Sequence, residues 1–437
     1  MKKLLSILLI FAVTLCGMIG FGGCAKNKTL LDPDDPVTLT MWHVYGEQAD
    51  SPMNRQIEEF NRTVGKEKGI IINVTLMSSA TYIGQKLLDA QAEKPGAADM
   101  PDLFFCHASN AAELGADNLL NWKDRFTEQE LDAYVGDFVS DGTVGESLSV
   151  LPVSKSTIML FVAGGVFDRF ALECGVSYDA LATWDGFFSV AEKYYTWSGG
   201  QPFCAVDYLM RCVELNAISK GATNFYKDGW YDFENETLMA SFMQFADSIA
   251  KGHIIVSDLY SNTQIMTGQV IAGIGSSASV LYYNDKITYP DNTTIDVNLN
   301  VRPLPQAGAG TQSYATIAGV GLCAYKTTEQ KAEAAKVFAR WLNEEDRNLD
   351  FVASTGYMPV LKNSFDKIDD YEFKSDAYKS LYSALATTKE TCTFLSEPNM
   401  VGYWSKVYAL NDSIRTFQKS LDGKTANDIK ALFEAVK

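Results

Sequence analysis

The alternation of apolar and polar positions predicts a repeating succession of strands and helices in the first quarter of the chain. Residues 37–45 are rich in β-forming side chains and lie between a proline and a glycine, which is typical of a strand. Ser51 and Pro52 then fit an N-cap followed by a proline in the first helical turn. The same criteria predict a helix over residues 82–92, between strands at 70–76 and 101–106. This succession favours an α/β fold with parallel strand pairs.

The rest of the chain shows the same two periodicities, with more helix in its middle. Its last helix is predicted to start at a capping box formed by Thr425 and Asp428. The sequence contains no internal repeat and no low-complexity segment. The remaining predicted strands are at residues 148–153, 270–274 and 297–304, and the remaining helices at 184–195, 238–251 and 329–343.

The N-terminal segment has a different pattern, which predicts export. Lys2 and Lys3 precede a nearly continuous apolar run of signal-peptide length, too short for a typical membrane span. The sequence Phe21-Gly22-Gly23-Cys24 then resembles a bacterial lipobox. We therefore expect residues 1–23 to be a signal peptide, Cys24 to be lipidated, and residues 24–35 to form a lipid-anchored tether. Plain secretion with cleavage near the same glycines is the alternative, and an uncleaved anchor is a third.

Composition narrows the function classes. The chain has 437 residues, of which 47% are hydrophobic and 21% charged, so it is a globular protein long enough for two or more domains. Its net charge of −17 disfavours nucleic acid as a partner. Loss of residues 1–23 would remove two lysines and no acid, leaving −19. The six cysteines after Cys24 show no zinc-site spacing, so we expect no metal and no cofactor.

Several segments, taken together and in order, resemble the extracellular solute-binding proteins of ABC importers, the family that includes maltose-binding-like proteins. They begin with the opening strand Leu39-Thr40-Met41-Trp42-His43 and the helix after it. Leu151-Pro152-Val153-Ser154-Lys155-Ser156-Thr157 comes next. Near the C-terminus, Gly319-Val320-Gly321-Leu322 and Thr355-Gly356-Tyr357-Met358-Pro359-Val360 complete the resemblance.

This resemblance implies a two-lobed, periplasmic-binding-protein-like fold of class II, with a ligand cleft between lobes joined by a hinge. The chain would cross between the lobes near residues 150, 303 and 358, where Pro-containing segments occur. The first lobe would then comprise residues 36–150 plus 304–357, and the second 151–303 plus 358–437.

The implied function is ligand capture without chemistry. We expect a monomeric binding lipoprotein that takes up a carbohydrate, an oligosaccharide above all, by hinge closure and delivers it to permease subunits. It would be held by its lipid at the outer face of the bacterial cytoplasmic membrane. It would not be an enzyme.

Candidate ligand-binding residues come from two arguments. His107 and Asn110 follow a predicted strand whose carboxyl end faces the crevice in this architecture. Alignment with the family implies the others, although Trp42, His43 and Trp404 have core packing as an alternative, and Ser276 and Ser277 helix capping. The implied residues are Trp42, His43, Tyr82, Ser154, Ser156, Asp207, Tyr208, Ser276, Ser277, Tyr357 and Trp404.

Three other functions stay open. Tyr82 and the segment Ser276-Ser277-Ala278-Ser279 also resemble the glycerol-3-phosphate-binding branch, which suggests glycerol 3-phosphate or a glycerophosphodiester as ligand. The absence of an arginine before Arg415 in the C-terminal segment and the negative charge disfavour that ligand. A secreted carbohydrate-active hydrolase needs two carboxylates that a sequence cannot locate, but no GxSxG or HExxH motif is present. A polysaccharide adhesin is the third possibility.

Overall fold

The structure is a computed structural model that describes residues 30–45, 51–77, 80–258, 260–398, 400 and 402–436. The predicted signal peptide, the predicted lipidation site Cys24 and the first part of the predicted tether lie outside these residues. Among the residues that are described, no helix combines the length and the apolar character that a bilayer crossing requires.

The strands of the described chain are numbered in sequence order. Those of the first third are β1 (Val37–His43), β2 (Ile70–Leu76), β3 (Leu103–Cys106), β4 (Thr143–Val144) and β5 (Ser147–Leu148). The middle third carries β6 (Ile158–Ala163), β7 (Cys204–Val206), β8 (Tyr226–Lys227), β9 (Trp230–Tyr231), β10 (Ile254–Val256) and β11 (Ala272–Ser276). The last are β12 (Lys286–Thr288), β13 (Thr294–Asp296), β14 (Leu299–Pro303), β15 (Tyr314–Ile317), β16 (Gly321–Ala324) and β17 (Thr393–Ser396).

The α-helices alternate with these strands. The first group is α1 (Pro52–Phe60), α2 (Lys66–Lys68), α3 (Ala80–Gln91), α4 (Ala108–Leu114), α5 (Glu128–Asp132) and α6 (Gly136–Asp141). The second is α7 (Gly164–Cys174), α8 (Trp184–Trp197), α9 (Leu209–Ser219), α10 (Glu236–Ala250) and α11 (Ser261–Met266). The third is α12 (Glu329–Leu342), α13 (Glu345–Ala353), α14 (Lys362–Asp366), α15 (Asp376–Thr391), α16 (Tyr403–Gln418) and α17 (Ala426–Glu434).

The first lobe is built on a four-stranded sheet in the order β16-β3-β1-β2. β1 is parallel to both β2 and β3, whereas β16 returns antiparallel to β3 from much later in the chain. In β1 the alternating residues Val37, Leu39 and Met41 pack into the main core. Trp42 and Phe104 face a second cluster on the opposite side of the sheet. Helices therefore cover both faces, which explains why β3 is apolar throughout.

The second lobe is built on a five-stranded sheet in the order β10-β7-β11-β6-β14. β10, β7 and β11 are parallel, and β6 and β14 complete the sheet with antiparallel pairs. All six residues of β6 are buried, as a central strand covered on both faces requires. The chain thus forms two α/β lobes. The boundaries predicted for them, at residues 150, 304 and 358, stay predictions.

Three segments cross between the sheets and pair with one another. Leu151 forms an antiparallel bridge with Leu322, and Ser156 forms one with Ala318. Lys155 forms a third bridge, with Met358, whose amide donates to the Lys155 carbonyl at 2.6 Å. Because these bridges join residues far apart in sequence, the lobes are linked by hydrogen-bonded strands instead of a single flexible connection.

Most elements form close to where the hydrophobic pattern predicts them. The Ser51 hydroxyl accepts the Asn54 amide at the start of α1, and Pro52 occupies the first helical turn. Thr425 and Asp428 form the predicted capping box of α17. The strand predicted over residues 148–153 was wrong in extent, since it ends at Leu148. The residues after it leave the β4–β5 pair, and Leu151 joins the crossing segments instead.

Two asparagines on neighbouring helices hold the crossing segments in place. Asn348 of α13 is fully buried, its Nδ2 donates to the Val153 carbonyl at 2.7 Å, and its Oδ1 accepts the Val360 amide at 3.3 Å. Asn343 donates to the Pro152 carbonyl at 3.0 Å. These side chains satisfy buried backbone groups that the crossing leaves outside regular sheets.

Replacing Asn348 with alanine is expected to lower the free energy of unfolding by about 2 kcal/mol, because two buried backbone groups lose their partners. Urea unfolding followed by tryptophan fluorescence measures this change. Asn427→Ala, at an exposed position of α17, is the matched control and should shift stability by less than about 0.5 kcal/mol. Equal stability of the two variants would contradict the prediction.

Candidate functional site

A cavity of about 260 Å³ lies where both lobes meet the crossing segments. Its lining contains imidazole, hydroxyl and carboxyl groups, which suit a polar ligand. The first lobe contributes His107, Ala108, Ser109, Ala112, Ser140, Asp141, Thr143, Val144 and Gly145. Ile317, Ala318 and Gly319 come from a crossing segment, and Ser396, Glu397, Pro398 and Trp404 complete the lining.

His107 reaches the cavity because β3 ends one residue before it. It is the N-cap of α4 and has an extended backbone, with φ −72° and ψ 155°. Burial, assisted by the ammonium group of Lys155, lowers the pKa of His107 to about 4. The imidazole is therefore neutral at pH 7 and offers the ligand one hydrogen-bond donor and one acceptor.

Glu397 faces His107 across the cavity. It directly follows β17, which pairs in parallel with β15 of the crossing region. Its Oε2 lies 3.9 Å from His107 Nδ1. Burial raises the pKa of Glu397 to about 7, and Asp141 adds to this rise while Arg211 and Lys155 oppose it. Near neutral pH the carboxyl group is thus divided between its protonated and ionised forms.

A second carboxylate in the lining is already neutralised. Asp141 ends α6, and its Oδ2 accepts from Lys155 Nζ at 2.7 Å. Lys155 is only 1% exposed, so its charge depends on this partner. The pair adds no net charge to the cavity, whereas Glu397 does when it is ionised.

A buried network behind the cavity fixes the end of β17. Arg211 Nη2 donates to the carbonyls of Leu395 at 3.4 Å and Ser396 at 3.1 Å. Its Nη1 lies 2.7 Å from Glu214 Oε1, and Glu214 Oε2 accepts from the Tyr231 hydroxyl at 2.9 Å. Arg211 therefore positions the backbone from which Glu397 projects.

One aromatic residue, Trp404, lines the same cavity as Glu397. The ring centroid of Trp404 lies 6.0 Å from that of Tyr408, which is 54% exposed. Burial raises the pKa of the Tyr208 hydroxyl, and the charges of Asp207 and Glu397 add to this rise. The second lobe thus presents flat apolar faces beside an acidic group.

The geometry is that of a binding cavity between two hinged lobes, and a comparison of sequences decides the family. The profile of the family described as "Bacterial extracellular solute-binding protein" matches residues 56–379, most of the chain. This chain belongs to the bacterial extracellular solute-binding proteins. A search of curated proteins finds no match.

Solved structures share the fold of this solute-binding protein at low sequence identity. The cyclic alpha-maltosyl-1,6-maltose binding protein from Arthrobacter globiformis has a TM-score of 0.67 and 15% identity, with 92% of this chain and 99% of that chain covered. The sugar-binding protein MalE from Xanthomonas citri has a TM-score of 0.67 and 15% identity, with 92% of this chain and 96% of that chain covered. UgpB from Mycobacterium tuberculosis, in complex with glycerophosphocholine, has a TM-score of 0.67 and 14% identity. The match covers 92% of this chain and 98% of that chain.

The structure brings part of the predicted ligand set to the cavity of this solute-binding protein. His107 and Trp404 line it directly. Ser156 pairs with Ala318 in the cavity wall. Tyr208 is not among the lining residues, but the charge of Glu397 contributes to the raised pKa of its hydroxyl group. For these residues ligand contact stays a prediction.

Other predicted residues of the second lobe and the crossing segments have structural partners. Asp207 accepts from the hydroxyl groups of Ser257 and Ser261. Ser276 caps the turn after β11, and the amide of the buried Ser277 donates to the Thr157 carbonyl. The Tyr357 ring lies edge-on to Tyr45 at 6.0 Å, and the Ser154 hydroxyl shares a 2.9 Å hydrogen bond with the Tyr45 hydroxyl.

The predicted residues of β1 lie in the core of the first lobe and not at the cavity. Trp42 is 5% exposed and packs in the second hydrophobic cluster. His43 is fully buried, its Nε2 bonded to Asn54 Oδ1 at 2.9 Å.

Two further predicted residues, Tyr82 and Asn110, are not among the residues that line the cavity. Tyr82 is 45% exposed on α3, with Lys86 Nζ 5.4 Å from its ring centroid, and Asn110 of α4 packs against Gly84 of α3.

Several residues that sequence reasoning missed belong to this site. Asp141, Lys155, Glu397 and Arg211 were not among the predicted ligand residues. Glu397 had a usable signal, since the segment Thr393-Phe394-Leu395-Ser396 is a short β-forming run that turns acidic at its end. The pairing of Asp141 with Lys155 had none, because only the fold brings the end of α6 to the crossing segment.

The pKa of His43 predicts a pH-dependent stability. Burial lowers this pKa to about 4, and the Tyr45 amide donates to His43 Nδ1, which must therefore stay unprotonated. Below about pH 6.5 the unfolded chain binds a proton that the folded chain resists, so stability is complete above that pH and falls as the pH drops toward 4. His43→Gln removes this contribution, so the stability advantage of the wild type should shrink by about 3 kcal/mol from pH 7 to pH 4.

Urea unfolding of wild type and variant at several pH values measures this advantage. His253→Gln is the control, because His253 is only partly buried, and burial also lowers its pKa. A wild-type advantage over His43→Gln that stayed constant across the range would show that His43 does not titrate as proposed.

Proposed function

We propose that this protein is the substrate-binding component of an ABC importer and that it captures a carbohydrate, chiefly an oligosaccharide, for delivery to a membrane permease. The observation that supports this function best is the position of the cavity. It lies between two lobes and against the crossing segments, so a bound ligand contacts both lobes at once.

The lining matches the chemistry of a sugar. A pyranose ring has apolar C–H faces that pack on aromatic rings, and Trp404 offers such a face. Its hydroxyl groups need hydrogen-bond partners around the rim, which His107, Asp141, Ser396 and Glu397 can supply. The volume of about 260 Å³ holds a small part of an oligosaccharide.

Closure of the lobes would report ligand capture to the transporter. A ligand that contacts both lobes favours the closed form by its difference in affinity for the two forms. Turning a population of one closed molecule in a hundred into nearly complete closure requires about 5.5 kcal/mol of such a difference. The paired crossing segments provide the axis for this motion.

Export and anchoring belong to the same proposal. Residues 1–23 would act as the signal peptide, and Cys24 would carry the lipid that holds a monomeric protein at the outer face of the cytoplasmic membrane. A family of extracellular solute-binding proteins fits this location.

A phosphorylated ligand has less support. Its phosphate would meet two acidic side chains in the lining, Asp141 and Glu397, and the nearby ammonium group of Lys155 is already paired. No arginine is found among the described residues that line the cavity. The glycerophosphocholine complex of UgpB belongs to a protein of 14% identity, and that likeness extends to the fold alone.

A hydrolase remains the alternative from another class, because Asp141 and Glu397 place two carboxyl groups at one cavity. The salt bridge from Lys155 opposes this role for Asp141, since it removes the free carboxylate that activates water or attacks the sugar. Incubation with oligosaccharides and analysis of released sugars distinguishes the two functions. A binding protein leaves the oligosaccharides intact.

Replacing Trp404 with leucine should weaken binding of the best oligosaccharide about tenfold, because the stacking face is lost. A thermal-shift screen of mono- and oligosaccharides identifies that ligand, since binding to the folded state raises stability. Isothermal titration calorimetry then gives the affinities. Small-angle scattering should show a smaller radius of gyration when the wild type is saturated.

Trp197→Leu is the matched control for this experiment, since Trp197 lies on α8 of the second lobe and does not line the cavity. It should bind with nearly wild-type affinity. If Trp404→Leu bound the oligosaccharide as tightly as Trp197→Leu does, the cavity would not be the binding site.

A further inference from the structure

Glu397 stands out electrostatically among the groups that line the cavity. The other carboxylate, Asp141, has Lys155 at 2.7 Å. For Glu397, the nearest basic group among the described residues is His107 at 3.9 Å, which is neutral at pH 7. Arg211 lies behind Glu397, but its guanidinium is held by Glu214 at 2.7 Å. Among the described residues that line the cavity, Glu397 is thus the carboxylate without a salt bridge to lysine or arginine.

An aromatic side chain lines the same cavity as this carboxylate. Trp404 lines the cavity beside Glu397, and Tyr408 is its neighbour on α16. Tyr208 precedes α9, and the charge of Glu397 contributes to the raised pKa of its hydroxyl group. The faces of tryptophan and tyrosine rings attract cations, and more strongly where water is excluded. A cavity that holds both a carboxylate and a tryptophan face suits a positively charged nitrogen.

We propose that the ligand carries a cationic nitrogen, as an amine or a quaternary ammonium, and that Glu397 and Trp404 select it. This inference deepens the proposed carbohydrate-binding function and rests on it, so the expected ligand is a saccharide with a cationic substituent. Long-range electrostatics act in the same direction, since the net charge of −17 attracts cations to the surface.

The protonation of Glu397 supports the proposal and adds a second readout. Burial raises its pKa to about 7, so half of the empty sites hold a proton near that pH. A bound cation favours the ionised form, so binding of a fixed charge should tighten as the pH rises from 6 to 8. The charged and titratable groups around Glu397 are His107 and Asp141 of the first lobe, Lys155 of the crossing segment, Tyr208 and Arg211 near the start of α9, and Tyr403 and Tyr408 of α16.

Two oligosaccharides of equal length test the proposal by calorimetry at pH 8. One consists of N,N,N-trimethylglucosamine units, which are cationic at every pH, and the other of neutral N-acetylglucosamine units. The wild type should bind the cationic oligosaccharide about tenfold more tightly. Glu397→Gln should bind both with similar affinity, and its affinity for the cationic one should not change between pH 6 and 8.

Asp247→Asn is the control for general charge effects, because Asp247 is an exposed acid on α10 paired with Lys251. It should keep the wild-type preference. Equal affinity of the wild type for the two oligosaccharides would overturn this inference and leave the carbohydrate function standing. The same holds if Asp247→Asn loses the preference as Glu397→Gln does.

Tetramethylammonium chloride alone separates the inference from the function. If no saccharide binds but this salt stabilises the wild type, and Glu397→Gln lacks the effect relative to sodium chloride at equal ionic strength, the cation site stands and the carbohydrate function fails. If neither the salt nor any saccharide binds, both are overturned.

Discussion

The ammonium group of Lys155 is 1% exposed, and the Asp141 carboxylate holds it at 2.7 Å. Burying a charge without a partner costs several kcal/mol, so the fold is stable only if α6 of the first lobe comes to the crossing segment. The backbone of Lys155 bridges to Met358, and the next residue, Ser156, bridges to Ala318. One charge pair and two bridges thus join the first lobe to all three crossing segments, at the floor of the cavity.

This arrangement also sets the electrostatics of the cavity. Because Lys155 neutralises Asp141, the charge of the lining depends on Glu397 alone among the acidic groups that it contains. Arg211 donates a hydrogen bond to the backbone just before Glu397, but its salt bridge is with Glu214. The cavity is therefore rigid where its backbone is held and adjustable in charge, since the pKa of Glu397 lies at about 7.

Local patterns in the sequence predict the elements well and the site only in part. Capping at Ser51 and Thr425 depends on neighbouring residues, so it can be recognised without the fold. His107 was found by the rule that strand ends face the crevice. Trp42 also lies near the end of a strand, but its side chain packs in the second hydrophobic cluster, on the face of the sheet opposite the main core. The alternation of apolar residues does not say which of the two faces is covered by a helix. The short β-forming run before Glu397 is visible in the sequence, but its position beside the cavity depends on the pairing of β17 with β15, which is a long-range contact.

The fold shared with solved structures and the side chains of the cavity give different information about function. A TM-score of 0.67 at 15% identity shows that two lobes and crossing segments can be built from largely different residues, so the family fixes the architecture and leaves the lining free to change. Ligand chemistry must then follow from the side chains present, which here are an aromatic face, a neutral imidazole and a carboxylate without a salt bridge to lysine or arginine. A neutral sugar would satisfy the first two and leave the third without a counter-charge in a partly buried site. On the proposal of a cationic ligand, a positive charge on the ligand satisfies all three, and Glu397 is then the residue on which substrate choice depends.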